Sequence, residues 1–97
     1  MPTYMTLMKF TEKGIRDIKN NAKDREEAIK NAEKAGVKII GVYYLMGEYD
    51  GVVISECPND EAAVTSSILA SSDGNIRTIT LKAFTPEEFD KIIDKLL

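Results

Sequence analysis

VKIIGVYYLM at residues 37–46 and GVVISEC at 51–57, separated by Gly47-Glu48-Tyr49-Asp50, settle the architecture. Both runs are rich in β-branched and aromatic residues and the four residues between them are turn formers, so the stretch reads as a β-hairpin. Its first strand is apolar on both parities, with Val37, Ile39, Tyr43 and Leu45 alternating with Ile40, Val42, Tyr44 and Met46. A strand with one wet face would alternate apolar with polar residues, so both faces of this sheet need cover.

Before the hairpin, TYMTLMKF at 3–10 is a strand. From Thr11 the apolar period becomes helical: Ile15, Ile18 and Ala22, then Ala28, Ile29 and Ala32, ending before Gly36, with Asn20-Asn21 splitting the region into a short helix and a longer one. Beyond the hairpin, Asn59 or Asp60 caps a helix carrying Ala62, Val64, Ile68 and Leu69. Asp73-Gly74 marks a turn, and IRTITLKAF at 76–84 is the fourth strand. Thr85-Pro86-Glu87-Glu88 is a capping box with proline at the first helical position, and Phe89, Ile92, Ile93 and Leu96 form the stripe of a last helix.

The order β-α-β-β-α-β-α predicts an α+β domain of ferredoxin-like βαββαβ type. It has an antiparallel four-stranded sheet, helices on one face and an extra C-terminal helix. The second sheet face is covered either by that helix or by another copy of the chain. The second is expected, giving a homo-oligomer, a dimer or a multiple of dimers, with Val42 or Tyr44 at the contact.

At 97 residues the chain is read as a single domain over 1–97. Its 13 Lys+Arg against 16 Asp+Glu give a net charge of −3, which argues against nucleic acid or anionic membrane as partner. The chain contains no His, the commonest general base and metal ligand, and its lone Cys57 has no imidazole to activate it. No metal and no cofactor are expected. Neither a signal segment nor a transmembrane run is legible, so the expected location is cytoplasmic.

Chemistry is sought first at the hairpin. Gly47 suits a positive φ and is read as a structural turn residue, while Asp50 can bond nearby backbone amides. The functional reading sets Tyr49 and Asp50 at a pocket mouth, the phenol donating to a ligand carbonyl and the carboxylate orienting the ligand or acting as base. Tyr43 and Tyr44 point to opposite faces, so one of them lines the open face. The fourth strand carries Arg77 on one parity and Thr78, Thr80 and Lys82 on the other, a candidate wall for an anionic ligand. The candidate ligand-binding residues are therefore Tyr44, Tyr49, Asp50 and Arg77, and no catalytic residue is assigned.

MPTYMTLMKFTEKG, GVYYLMGEYDGVV and GNIRTITLKAFTPEEF, in that order, resemble the GYD domain family, named for the residues that stand here as Gly47, Tyr49 and Asp50. The resemblance implies a ferredoxin-like fold of the dimeric α/β-barrel kind and carries no defined activity. The expected function is a homo-oligomeric module that binds a small molecule. The alternatives are a cofactor-independent enzyme on a small organic substrate, monooxygenase- or isomerase-like by fold analogy, and a purely structural or protein-interaction module.

Overall fold

The computed structural model describes residues 1–96. In chain order the elements are β1 (Thr3–Phe10), α1 (Glu12–Arg16), a 3-10 turn (Ile18–Asn20), α2 (Asn21–Lys34), β2 (Lys38–Tyr44), β3 (Gly51–Glu56), α3 (Asp60–Ser71), β4 (Ile76–Ala83) and α4 (Pro86–Asp94). The strands form one antiparallel sheet in the order β2-β3-β1-β4, the ferredoxin-like arrangement. The Asn20-Asn21 break falls where the 3-10 turn hands over to α2. Thr11 caps α1 by accepting from the Gly14 amide, and Glu12 and Arg16, one turn apart, form an ion pair at 3.1 Å.

Register assigns the faces. Tyr4, Thr6, Met8 and Phe10 of β1 pair with Lys82, Thr80, Thr78 and Ile76 on the side the helices cover. Met5, Leu7 and Lys9 pair with Leu81, Ile79 and Arg77 on the other. In β2 the pairing with β3 slips between Ile39 and Gly41, leaving Ile40 as the extra residue of a bulge. Beyond it Val42 and Tyr44 stay on the helix side with Ile39, and Gly41 and Tyr43 face outward. This corrects the expectation for Val42 and Tyr44: one inserted residue inverts the parity of the strand's second half.

The core under the helices is small: Tyr4, Ala32, Val37, Cys57 and Ala63, with Ile39 and Ala62 packed against them. Asn59 caps α3, accepting from the Ala62 amide, and α3 turns Ala63, Ser66 and Ser67 toward the sheet. Val64, Ile68 and Leu69 are more than half exposed, so the stripe read from periodicity is not the buried one. Ser67 fixes the helix phase through a 2.6 Å hydroxyl hydrogen bond with Thr80 of β4. Ile15 and Ile18 are likewise exposed, because the 3-10 turn between α1 and α2 rotates them out of the α2 stripe.

The capping box of α4 is complete: Thr85 Oγ1 accepts from the Glu88 amide at 3.1 Å, and Glu88 Oε1 accepts from the Thr85 amide at 2.9 Å. These bonds hold the Glu88 carboxyl below its usual pKa range. All of α4 is nonetheless exposed, and the helix leaves the outer sheet face uncovered. Tyr43 on that face is 60% exposed and Leu81 47%.

Candidate ligand-binding site

A cavity of about 370 Å³ lies between the sheet and helices α2 and α3. Its cause is side-chain size. Toward the sheet α2 presents Ala28 and Ala32, and α3 presents Ala63, Ser66, Ser67 and Ala70. Leucine at these helical i, i+3, i+4 positions would fill the space, whereas alanine and serine leave it open. The floor is Thr6, Met8, Val42, Val53 and Ser55. The volume falls within the range of about 300–1,000 Å³ usual for small-molecule sites.

Polar groups gather at the lip. Asn21 Nδ2 donates to Tyr44 Oη at 2.7 Å and Arg25 Nη1 donates to the same oxygen at 3.0 Å. Asn21 and Arg25 are one helical turn apart, which sets both over the end of β2. The Arg25 guanidinium stands 5.6 Å from the Tyr44 ring centroid, so it also serves as a cation on the ring face. With both contacts occupying its lone pairs, the Tyr44 hydroxyl keeps its own proton to donate. Elsewhere on the wall, Asn75 Nδ2 donates to Asp17 at 3.3 Å while its Oδ1 is buried without a protein partner among the described residues. A buried acceptor of this kind is costly unless something donates to it.

A second polar cluster lies toward the start of β1. The Tyr4 hydroxyl donates to Asp60 Oδ1 at the start of α3, and Lys82 Nζ stands 3.4 Å from the same carboxylate oxygen. Tyr4 is 3% exposed, and the Asp60 hydrogen bond, with burial, pushes its pKa up to about 12. Asp60 is held below its usual range by the Tyr4 hydroxyl and then by Lys82. The neutral phenol is the form the fold favours. Its contribution is therefore complete below pH 10, its ordinary value, and is lost as pH rises through about 12. Asp60 acts in the opposite direction, with a contribution lost as acid protonates it. Titration of tyrosinate absorbance is expected to show one phenol ionising near pH 12, absent in Tyr4→Phe. Loss of that step in Tyr44→Phe instead would show the assignment to be wrong.

The hairpin loop runs from Leu45 to Asp50, closed by the Leu45 amide donating to the Asp50 carbonyl at 2.8 Å. Gly47 sits at φ +123°, a conformation unfavourable to any side chain. Asp50 is committed to backbone: its amide donates to Met8 O at 2.9 Å, and its Oδ2 accepts from the Phe10 amide at 2.8 Å. Asp50→Ala strands the half-buried Phe10 amide and is expected to cost about 1–3 kcal/mol. Denaturant unfolding beside an exposed Glu48→Ala control checks this, and equal midpoints for the two would contradict it.

The four candidate residues do not form one site. Tyr44 stands at the cavity lip and Asp50 supports the loop. Tyr49 lies under Lys9 Nζ at 5.5 Å from its ring centroid, and Lys9 pairs across the strands with Arg77. Tyr49 and Arg77 thus mark one end of the outer face, on the other side of the sheet from Tyr44. Sequence reasoning missed Asn21, Arg25, Asp60 and Asn75. The i, i+4 spacing of Asn21 and Arg25 was visible, but their partner depends on the β2 bulge. Among the described residues, no group of three or more His, Cys, Asp or Glu is placed to hold a metal, and no helix is long and apolar enough to cross a membrane.

An antiparallel ferredoxin-like domain with one helix-covered and one bare sheet face is the class this architecture defines. A crystal structure of a Thermus thermophilus protein superposes with a TM-score of 0.59 at 22% identity, covering 88% of this chain and 95% of that one. An ACT domain protein from Streptococcus pneumoniae superposes at 0.52 with 11% identity, covering 100% and 97%. At such identities the likeness is one of fold. The chain belongs to the GYD domain family, whose model matches residues 4–93. In sequence it is 27% identical over 84 residues to the glutamine synthetase and cystathionine beta-lyase binding protein of Thermus thermophilus, across 86% of this chain and 88% of that protein.

Proposed function

We propose that this GYD-domain chain is a homo-oligomeric module that binds a small organic molecule between its sheet and helices α2 and α3. The observation that carries the reading is the lip of the cavity, where Asn21 and Arg25 hold Tyr44 with its hydroxyl proton free to donate. An apolar-floored cavity with a few convergent polar groups is the usual form of a small-molecule site. The opposite sheet face serves the oligomer, since it carries Met5, Leu7, Tyr43, Ile54, Ile79 and Leu81 with no helix over them among the described residues. Tyr44→Phe removes one donor together with the oxygen that accepts from Asn21 and Arg25, both at an exposed lip where water takes over, and Tyr44 is itself 45% exposed, so the fold should keep its stability. The amount of co-purifying small molecule, measured by mass spectrometry after denaturing protein from its source, should fall with a binding loss of about 0.5–1.5 kcal/mol. Equal amounts from the wild type and the variant would remove Tyr44 from the site.

A protein-binding role is the second reading. It is favoured by the 27% identical relative, which is named for binding glutamine synthetase and cystathionine beta-lyase. Capture of either enzyme by this chain, undiminished in Tyr44→Phe, would favour it over a ligand role centred on the cavity.

A further inference from the structure

Helix α2 turns an unusual face toward the cavity. Its inner stripe runs through Asn21, Asp24, Ala28, Ala32 and Ala35, a series of three- and four-residue steps that all line the space beneath it. The covered stripe of a helix is ordinarily apolar. The first turn suits a carboxylate wherever it points, so the helix end accounts for an acidic residue there but not for its inward phase. Asp24 is half-buried, and no basic side chain stands within ion-pair distance of it among the described residues. A partly covered, unpaired charge is unfavourable unless something of opposite sign comes to it.

Asp24 does not stand alone. Asp17, at the end of α1, and Glu27 also line the cavity, and they too lack a basic partner among the described residues. Asp73 at the rim is compensated, since Lys13 Nζ donates to its main-chain carbonyl. Among the described residues Arg25 is the one cation that lines the space, and its guanidinium is committed to the Tyr44 hydroxyl and ring. The mouth therefore carries three uncompensated carboxylates over walls of alanine, valine and methionine. A cleft lined by one sign of charge, with walls of low dielectric, raises the local concentration of small molecules of the other sign by roughly 10- to 1,000-fold.

The polar groups of the site ask for two different features in one molecule. The Tyr44 hydroxyl, held by Asn21 and Arg25, has a proton to donate and so meets an acceptor oxygen. The carboxylates flank that point along the chain, Asp17 before Asn21 and Asp24 after it. A carboxylate or phosphate ligand would be drawn to Arg25 only to meet three unpaired carboxylates around it. We infer that the ligand is a small organic cation, an amine with an apolar body and an acceptor oxygen, its charge in the field of Asp17, Asp24 and Glu27 and its oxygen at Tyr44. The inference rests on the cavity reading above and names the charge class of what the cavity holds.

The test uses the full chain and three probes that share one body: para-methoxybenzylamine, para-methoxybenzyl alcohol and para-methoxybenzoate. They are a cation, a neutral molecule and an anion, each with an ether oxygen for Tyr44. Amide NMR titration reads both affinity and place. At low salt the amine is expected to bind at least about tenfold more tightly than the benzoate, with the alcohol between them and the shifts centred on Ala28, Ala32 and Ser67. Added salt should narrow the spread, because screening acts on the charged probes alone. Asp24→Asn with Glu27→Gln removes two charges at the cavity mouth without removing an ion pair, so the fold is kept. The amine should then fall toward the alcohol, whose affinity stays where it was. If the alcohol or the benzoate binds the cavity as tightly as the amine, or if the double variant leaves the amine unchanged, the cation assignment is wrong while the cavity reading stands. If no probe shifts those residues, the cavity reading fails and takes the inference with it.

Discussion

Replacing Gly14 with alanine is expected to cost the fold about 3 kcal/mol, because there is no room for a side chain where α1 docks on the turn before β4. A Cβ there would stand 2.0 Å from the carbonyl oxygen of Asn75 and 2.9 Å from its carbonyl carbon. Both are backbone atoms, so no rotamer change relieves the collision. The same turn is tied to the start of α1 by the Thr11 amide donating to Asn75 O at 2.9 Å and the Thr11 hydroxyl donating to Gly74 O at 2.6 Å. Relaxing the clash therefore means breaking that docking and disturbing Asn75 at the cavity wall. Equilibrium denaturation should show a much lower midpoint for Gly14→Ala than for an exposed Lys19→Ala control. Equal midpoints would mean that α1 is free to move away at little cost.

Leu81→Asp is expected to separate folding from assembly. Leu81 is 47% exposed in the single chain, so an aspartate there leaves the fold of one copy nearly as stable as before. Covered by a second copy, the same carboxylate is buried without a partner, at a cost of about 3–5 kcal/mol, or roughly a 100- to 5,000-fold weaker dimer. Light scattering across a concentration series, beside a thermal melt, reads the two effects independently. A variant with unchanged association would show that this face is not an interface.

The legible and illegible parts of the chain divide by the range of the interactions concerned. Thr85-Pro86-Glu87-Glu88 is readable because a capping box is settled within four residues, and both of its hydrogen bonds form. The strand at 3–10 is readable from its composition for a similar reason. The faces of β2 are not, because the bulge at Ile40 depends on how β3 pairs with it, and that one residue decides whether Tyr43 or Tyr44 reaches the cavity. The phase of α3 is hidden as well. Its periodicity favours Val64 and Ile68, but the Ser67–Thr80 hydrogen bond and the Asn59 cap turn the small residues inward. Nothing local connects Tyr4 with Asp60, 56 positions apart, or announces that Gly14 lies against Asn75. What could have been noticed is the run of small residues at 62–63, 66–67 and 70 within an otherwise ordinary helix, since a helix with a small inner face leaves space over a sheet.

Native mass spectrometry of the intact protein from its source bears most directly on the reading of one sheet face as interface and the other as ligand site. Ions are expected at twice the 10.8 kDa chain mass, or a multiple of it, carrying a small-molecule mass that Tyr44→Phe diminishes. Ions at the single-chain mass with nothing bound would contradict that reading.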